Sequence, residues 1–226
     1  MLHDMHQMKN TAIIVAAGSG SRLGSEVPKQ FLTLNGQEIL SYSVSTFLEH
    51  SDISDVIIVT SQAFLGQVRS KYPECQVVLG GATRQDSVYN GLQACGSTTT
   101  HVLVHDAARP LLPATIIDRC LHALTTHDGV APAIKPVDSM VRLLDDDFQS
   151  LKRAELRIVQ TPQCFPIDIL LKAHASRLVD TDEMGLVKQA LPDVSLRFIE
   201  GAQETIKITQ PADIETAKIF LRATQA

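Results

Sequence analysis

Short apolar runs, rich in β-branched residues, recur along the chain with longer amphipathic segments between them. Runs of this kind are typical of strands that are buried on both faces of a sheet. Because strands and helices alternate, the pattern predicts right-handed crossovers and a mainly parallel sheet, which places the chain in the α/β class. The predicted strands are residues 13–16, 56–59, 77–79, 102–104, 130–133 and 196–199.

Three of the intervening segments place apolar residues on one face of a helix. The last of these segments begins at Pro211, and the first turn of a helix tolerates proline. The apolar faces consist of Leu40, Val44, Phe47 and Leu48 in the first segment, Val88, Leu92 and Cys95 in the second, and Ile214, Ala217 and Leu221 in the third.

Residues 135–160 interrupt this alternation. The pattern predicts a strand at residues 141–144, an acidic turn at 145–147 and a second strand at 156–159, which together would form an antiparallel β-arm. An isolated two-stranded ribbon is only marginally stable in water, so we expect the arm to pack on a second subunit. An extension that folds back on the chain's own sheet is the alternative.

Length and charge narrow the classes of function. A chain of 226 residues could form one large α/β domain or two small ones. The net charge of −5 argues against a general nucleic-acid binder, so affinity for phosphate must come from a few placed cations. Residues 1–10 are expected to form a flexible leader and residues 11–226 a single domain. The apolar run at 12–17 is far shorter than the ~20 residues of a membrane span.

The four cysteines have no close spacing, which argues against a zinc site or a redox pair. Buried, reduced thiols in a cytoplasmic protein are the expectation for such a chain. The cysteines are Cys75, Cys95, Cys120 and Cys164.

Residues 12–30 carry the strongest functional signal, because an apolar run is followed there by three glycines and two cations. Glycines let a ligand approach the backbone, and successive exposed amides form an anion-binding concavity. The segment therefore predicts a loop around a polyphosphate, with Arg22 and Lys29 neutralising its charge. It lacks the Gly-Lys-Ser/Thr triplet of a Walker loop, and its third glycine comes one residue too late for a dinucleotide fingerprint. A plain glycine-rich turn is the structural alternative.

Two further polar segments follow predicted strands. Residues 80–87 and Asp106 should both lie at the carboxyl ends of the strands, where open α/β sheets bind ligands. A carboxylate beside a triphosphate can hold Mg²⁺ or accept a ribose hydroxyl. The alternatives for Asp106 are a helix cap or an ion pair with Arg109. At the end of a buried strand, His105 is expected to be packed and hydrogen-bonded rather than a general base.

Polar residues in the last third of the chain extend this site. Arg153 lies on the predicted arm, and Thr181 or Asp182 could cap the helix that they open. Lys207 lies between two isoleucines in a predicted short strand, residues 205–209. A lysine in that setting would make sense if it pointed into a phosphate site.

Five motifs occur in register over about residues 11–221. They read Ala-Ala-Gly-Ser-Gly-Ser-Arg with Pro-Lys-Gln, then Gly-Gly-Ala-Thr-Arg-Gln-Asp-Ser-Val, Val-His-Asp-Ala-Ala-Arg-Pro, Gln-Thr-Pro-Gln and Ile-Lys-Ile-Thr. Together they resemble the 2-C-methyl-D-erythritol 4-phosphate cytidylyltransferase family of the non-mevalonate isoprenoid pathway.

The resemblance implies a Rossmann-like, three-layer nucleotidyltransferase fold with a mainly parallel sheet and a protruding β-arm. It implies a cytoplasmic homodimer, formed through the arm, that uses CTP and Mg²⁺ and has neither a nucleic-acid nor a membrane partner. The implied reaction is cytidylyl transfer from CTP to methylerythritol phosphate, which gives 4-diphosphocytidyl-2-C-methylerythritol and pyrophosphate.

The resemblance also implies roles for individual residues, inside the motifs and between them. The triphosphate would be wrapped by Ala16, Ala17, Gly18, Ser19 and Gly20, with Arg22 and Lys29 stabilising the transition state. Gly81 and Ser87 would help to hold the cytosine, and Asp106 and Ala107 would lie by the ribose and the metal. The methylerythritol phosphate would be received by Arg109, Ser139, Arg153, Thr161, Thr181 and Lys207, with Arg153 and Lys207 also acting as catalytic cations and Arg153 and Thr161 crossing from the partner subunit.

Four positions depart from the family's usual residues. Ala82 stands where aspartate is frequent, so part of the base recognition would rest on the backbone. Ser139 replaces a usual threonine and keeps its hydroxyl. Val141 stands for a common lysine and Thr205 for a usual asparagine, which leaves the fine placement of the substrate open.

Two other functions remain open from the sequence. A ribitol 5-phosphate cytidylyltransferase is the nearer alternative, but the alanine pairs at residues 16–17 and 107–108 favour methylerythritol phosphate. A non-catalytic nucleotide-binding subunit is the other alternative. The joint retention of the charged residues Arg22, Lys29, Asp106 and Lys207 argues against it.

Overall fold

The computed structural model describes residues 8–18 and 27–224. Within them, helices alternate with strands as the sequence predicts. The strands are β1 (Asn10–Ala16), β2 (Thr33–Leu34), β3 (Gln37–Glu38), β4 (Ile53–Thr60), β5 (Gln76–Leu79), β6 (His101–Asp106), β7 (Gly129–Ile134), β8 (Met140–Leu143), β9 (Phe148–Leu151), β10 (Ile158–Val159), β11 (Gln163–Pro166) and β12 (Leu196–Glu200). The helices are α1 (Ile39–Leu48), α2 (Leu65–Lys71), α3 (Arg84–Gln93), α4 (Ala114–Leu124), α5 (Ile167–Ala175), α6 (Glu183–Ala190) and α7 (Pro211–Thr224).

The central sheet has eight strands in the order β10-β7-β11-β6-β1-β4-β5, with β12 paired to β7. Strand β1 lies between β6 and β4 and is parallel to both. The pairs β4–β5 and β7–β12 are also parallel, whereas β11 is antiparallel to β6 and β7. The six strands predicted from apolar runs are confirmed, and the sheet is mainly parallel as expected.

The two faces of the sheet bury separate apolar clusters, because successive side chains of a strand point to opposite faces. Ile14 lies on the face that α1, α2 and α4 cover. Ile13 lies on the other face, against α3, α5 and α6. Both of these core strand positions are inaccessible to solvent. The result is the predicted three-layer fold.

A small hairpin, β2–β3, closes one side of the domain. Its two turn residues, Asn35 and Gly36, have φ values of 47° and 85°, the left-handed conformation that Asn-Gly turns of this kind require. Leu34 of the hairpin packs with Ile208 and with Ala217 of α7 in a third apolar cluster. The C-terminal helix is therefore fastened to the segment that precedes it and to the hairpin.

The β-arm exists, but the prediction of its second strand was wrong. β8 pairs with β9, whereas residues 158–159 form β10 and join the central sheet through β7. The acidic turn explains the difference, because the Leu144 amide donates to the Asp147 carbonyl at 2.9 Å and folds the nearest segment back on β8. The ribbon is a separate two-stranded sheet with exposed apolar side chains, as Leu143 at 80% and Phe148 at 59% exposure illustrate.

The strand predicted at residues 205–209 is also wrong. This segment is irregular, and single backbone hydrogen bonds hold it in place of a strand ladder. The Ile208 amide donates to the Ala108 carbonyl at 2.8 Å, and the Thr205 amide closes a turn on Ala202.

The longest described helix, α7, has 14 residues, and none of the described helices is long and apolar enough to span a membrane.

Candidate active site

A cavity of about 470 Å³ opens where β1 and β6 end, at the carboxyl edge of the sheet. This is the edge where open α/β sheets bind ligands. Its described wall comes from five parts of the chain: the end of β1 with the glycine loop, the Lys29–Gln30 pair, the loop before α3 with its first turn, the end of β6 with the residues after it, and the segment before α7. The lining residues are Val15, Ala16, Ala17, Gly18, Lys29, Gln30, Gly81, Ala82, Thr83, Arg84, Ser87, Asp106, Ala107, Ala108, Lys207 and Thr209.

The glycine loop is anchored by a buried amide. Gln30 is 2% exposed, and its Nε2 donates to the carbonyl oxygens of Ala16 at 2.7 Å and Gly18 at 2.9 Å. Beside it, Lys29 Nζ donates to the Ile208 carbonyl at 2.8 Å, which joins the loop to the C-terminal wall. Among the predicted triphosphate residues, Ser19, Gly20 and Arg22 lie outside the described residues.

The loop before α3 is shaped by its own side chains. Thr83 and Asp86 form a reciprocal capping box at the start of the helix. The Ser87 hydroxyl accepts from the Gly81 amide at 3.1 Å and donates to the Thr83 carbonyl at 2.9 Å. A Cβ at Gly81 would lie 2.2 Å from that of Asp86, so the close fold of this loop requires glycine there. The predicted cytosine residues Gly81 and Ser87 thus lie at the cavity, and the Ser87 hydroxyl fixes the loop.

Asp106 lies among three cations at the centre of the cavity wall. Its Oδ1 is 3.0 Å from Arg84 Nε, and its Oδ2 is 2.6 Å from Lys207 Nζ and 3.9 Å from Arg109 Nε. Burial would raise the pKa of the Asp106 carboxyl, but the charges of Arg84, Lys207 and Arg109 outweigh burial and hold that pKa well below its usual range. Asp106 is therefore a carboxylate at any physiological pH. The ion pair with Arg109, which the sequence offered as an alternative, is present, but it is the longest of the three contacts.

A second carboxylate, Glu183, holds Arg84 from the other side. Arg84 Nη1 lies 2.9 and 3.0 Å from the two oxygens of Glu183, which is 1% exposed. Burial raises the pKa of Glu183, and the Arg84 charge opposes that change. The backbone amides of Glu183 and Met184 both donate to Gln163 Oε1 at 2.9 Å. Asp182 is the helix cap, since its Oδ1 accepts from Gly185 N at 2.8 Å.

Sequence reasoning missed Arg84 and Glu183 as site residues. Arg84 stood inside the quoted motif of residues 80–88, and Glu183 followed the predicted cap. Glu183 opens a helix, where the helix dipole favours an acidic residue whether or not it has a role in a site. Only the fold brings the two together.

His105 is packed and hydrogen-bonded, as predicted. The ring is fully buried and lies edge-on to Phe47, with the ring centroids 5.3 Å apart. Its Nε2 lies 3.1 Å from the Arg109 carbonyl, which can only accept, so Nε2 carries the proton. Its Nδ1 then accepts from the Thr161 hydroxyl at 3.0 Å, while the Thr161 oxygen accepts from the Asp106 amide at 3.1 Å. Burial lowers the pKa of His105 to about 4.

The lowered pKa of His105 makes stability depend on pH. Between about pH 6.5 and 4 the unfolded chain binds a proton that the folded protein excludes, so the free energy of unfolding should decrease as pH falls through this range. His174, whose pKa burial also lowers to about 4, adds to the effect. Urea unfolding at pH 7 and pH 4.5 measures the slope, and His105→Gln should reduce it. An equal slope in wild type and variant would contradict this account.

The other predicted acceptor residues lie outside the described cavity wall. Arg109 Nη1 donates to the Thr205 carbonyl at 2.8 Å, and Nη2 to that of Val159 at 3.4 Å. Arg153 Nη1 donates to the Val137 carbonyl on the arm, near Ser139. The Thr181 hydroxyl donates a hydrogen bond to Asp180. The hydroxyl of the buried Thr161 donates to His105. Their contact with substrate stays a prediction.

Asp106 supplies the carboxylate in the described wall that could hold a metal ion. Mg²⁺ is often bound through one or two carboxylates together with substrate phosphates, and one carboxylate that lines the cavity suits that arrangement. A separate group, His50, Asp52 and Asp118, lies near the amino end of β4. There, His50 Nδ1 accepts from the Asp52 amide at 3.2 Å, so Nε2 carries the ring proton and donates to Asp118 at 3.1 Å.

Comparison with known sequences identifies the family. The family model of 2-C-methyl-D-erythritol 4-phosphate cytidylyltransferase matches residues 10–223. A protein of that name from Clostridium novyi (strain NT) is 36% identical over 226 residues, which cover 94% of this chain and 96% of the relative. Another, from Lachnospira eligens, is 34% identical over 229 residues and covers 94% and 99%.

Comparison with solved structures supports the same family. A 4-diphosphocytidyl-2C-methyl-D-erythritol synthase from Anaerococcus prevotii DSM 20548 superposes with a TM-score of 0.85 at 25% identity, over 96% of this chain and 97% of the other. The 2-C-methyl-D-erythritol 4-phosphate cytidylyltransferase from Thermus thermophilus gives a TM-score of 0.78 at 29% identity, over 93% and 98%. The chain therefore belongs to the 2-C-methyl-D-erythritol 4-phosphate cytidylyltransferase family.

Proposed function

We propose that this protein transfers the cytidylyl group of CTP to 2-C-methyl-D-erythritol 4-phosphate in isoprenoid biosynthesis. The observation that carries the proposal is the cavity at the ends of β1 and β6, where backbone of the glycine loop meets Lys29, Lys207 and a cation-bound Asp106. The family match over residues 10–223 supports the same reaction.

The chemistry suits the residues present. A phosphate oxygen of the acceptor attacks the α-phosphorus of CTP, a new P–O bond forms, and the bond from that phosphorus to the β-phosphate bridging oxygen breaks to release pyrophosphate. The acceptor phosphate is already a dianion near neutral pH, so it needs no general base. The task is to bring two anions together and to stabilise charge, which positioning and cations accomplish. A neutral, buried His105 is consistent with a reaction that needs no histidine base.

The charges around the cavity favour anionic substrates. Arg84, Arg109 and Lys207 surround Asp106, and Glu183 pairs with Arg84. With Lys29 included, four positive groups stand against two carboxylates, an excess of two positive charges in the described site. A protein with a formal net charge of −5 therefore concentrates positive charge where phosphates would bind.

We further propose that Mg²⁺ assists the reaction, with Asp106 as its protein ligand. The ion would neutralise part of the triphosphate charge. Because three cations already contact Asp106, the protein without nucleotide should bind Mg²⁺ weakly, and affinity should appear when CTP supplies its phosphate oxygens.

Calorimetric titration of Mg²⁺ tests this expectation. The protein alone should give little heat. The protein with a non-hydrolysable CTP analogue should bind the ion more tightly than the analogue does in buffer, and Asp106→Asn should lose that gain. Tight binding of Mg²⁺ to the nucleotide-free protein would contradict the prediction.

We propose a homodimer formed through the β-arm. The support is the exposed apolar surface of this ribbon, including Val141 at 47%, Leu143 at 80% and Phe148 at 59% exposure. Within that dimer, Arg153 would act on the partner's substrate, while Lys207, Arg109, Ser139 and Thr181 would receive the methylerythritol phosphate in their own subunit. The buried Thr161 bonds to His105 and to the Asp106 amide of its own subunit, so it would act there by supporting Asp106. A cytoplasmic location is proposed from the cysteines, since all four are free thiols and three of them are buried.

Pyrophosphate release tests the proposed function. The protein is mixed with CTP and Mg²⁺, and with methylerythritol phosphate, ribitol 5-phosphate or no acceptor. Release should require methylerythritol phosphate. Release with ribitol 5-phosphate only would assign the other cytidylyltransferase activity, and binding of CTP without any release would indicate a non-catalytic subunit.

A further inference from the structure

Arg84 connects three parts of the site through one guanidinium. The residue itself begins α3, directly after the loop that lines the nucleotide side of the cavity. Its Nε contacts Asp106, and its Nη1 contacts both oxygens of Glu183. Glu183 begins α6, two residues after Thr181. The guanidinium therefore joins the nucleotide loop, the end of β6 and the start of α6.

Arg84 restrains the Asp106 carboxylate, and the buried Glu183 in turn holds Arg84 in place. Glu183 is 1% exposed, and the two backbone amides at the start of α6 are tied to the buried Gln163. A buried carboxylate with both oxygens on Arg84 leaves the guanidinium little freedom. The planar fork of arginine can serve two carboxylates at once, which a lysine ammonium cannot do with the same directionality. Oδ1 of Asp106 thus meets a donor whose own position is set by the core.

We propose that Arg84 is a positioning residue, anchored by Glu183, which orients the Asp106 carboxylate for cytidylyl transfer. The proposal rests on the proposed function and adds two residues to its machinery. Arg84 would act through Asp106, because it contacts Oδ1. Lys207 at 2.6 Å and Arg109 at 3.9 Å both approach the other oxygen, Oδ2, and would leave the carboxylate free to rotate. A role limited to stabilising the fold, by neutralising buried Glu183, is the competing explanation.

The double variant Arg84→Met/Glu183→Gln separates the two explanations. It removes the guanidinium and the buried charge together, so Glu183 is not left uncompensated, a situation that strongly destabilises proteins. A matched control is Lys172→Met/Asp168→Asn, which removes an exposed ion pair on α5 whose atoms are 3.0 Å apart. Melting temperature, kcat and the KM values for CTP and methylerythritol phosphate are measured for each protein.

A positioning role predicts that the double variant keeps a melting temperature close to that of the control while its kcat falls about 10–100-fold, the range typical of residues that orient a ligating group. The KM for CTP should change far less than kcat. The control should retain wild-type kinetics. A double variant with wild-type kcat would overturn the proposal.

Two single variants decide the matter if the double variant fails to fold. Arg84→Lys keeps the charge but loses the fork, and should lower kcat. Glu183→Gln removes the anchoring charge but keeps one oxygen that accepts from Arg84, and should lower kcat by less than Arg84→Lys does. Wild-type kcat in Arg84→Lys would overturn the proposal. Absence of pyrophosphate release by the wild-type protein would instead refute the proposed function, so the two failures are distinguishable.

Discussion

Replacing Lys29 by alanine is expected to lower kcat by about 10²–10³-fold, the loss seen when a donor that acts in the transition state is removed. Lys29 lines the cavity, and its ammonium is held at the Ile208 carbonyl, next to the chain segment that carries Lys207. Charge develops at the phosphates as pyrophosphate leaves, and a fixed cation there stabilises it. The KM for CTP should rise much less than kcat falls.

Steady-state pyrophosphate release from CTP and methylerythritol phosphate measures the effect. Lys172→Ala is the matched control, since Lys172 is an exposed lysine on α5 that pairs only with Asp168 in the described contacts. Arg22→Ala, in the part of the glycine loop outside the described residues, should behave like Lys29→Ala. Unchanged kcat in Lys29→Ala would remove Lys29 from the catalytic groups.

Mixing two impaired variants should restore activity, at a methylerythritol phosphate concentration below the raised KM, if the arm completes the partner's site. Arg153 contacts the Val137 carbonyl on the arm and lies outside the described cavity wall, so its proposed role requires the second subunit. Arg153→Ala should raise the KM for methylerythritol phosphate by about 10²-fold or more, as expected when a phosphate loses a charge-assisted hydrogen-bond partner of about 3 kcal/mol. Lys29→Ala should be nearly inactive.

The mixed dimer of these variants contains one intact site, with Lys29 from the Arg153→Ala chain and Arg153 from the Lys29→Ala chain. Random exchange of subunits in a two-fold dimer gives half mixed dimers, so about a quarter of wild-type activity should return. The dimers are exchanged in mild denaturant, and each variant treated in the same way is the control. Activity that fails to return in proven mixed dimers would place Arg153 in its own subunit's site or outside any site.

The framework of this fold was predictable because it depends on local apolar patterns. The runs at residues 13–16 and 102–104 became the paired central strands β1 and β6, since buried parallel strands have continuous apolar sequences. The β-arm shows that an apolar pattern predicts a strand but not its pairing partner. Residues 156–159 have the same β-branched character as a strand, and pattern could not tell whether β8 or β7 would pair with them.

The candidate site was predictable where backbone chemistry determined it. The glycine loop, the loop before α3 and Asp106 follow strands, and parallel strands end at one edge. The link between Arg84 and Glu183 spans 99 positions of the chain, and such a contact leaves no spacing signal in a single sequence. Lys207 was predicted in a strand, yet it reaches Asp106 from an irregular segment held by Ile208.

The cavity can be completed only late in the synthesis of the chain, because its wall combines early and late segments. Its wall includes residues from Val15 to Thr209, and the late segment is held by Ile208, which packs with Ala217 of the C-terminal helix. A chain still emerging from the ribosome can form the first strands early, because folding begins at the N-terminal side during translation. It cannot hold nucleotide in the complete pocket until α7 has been made. Ribosome-bound chains stalled before Pro211 should therefore be folded in part and unable to retain CTP.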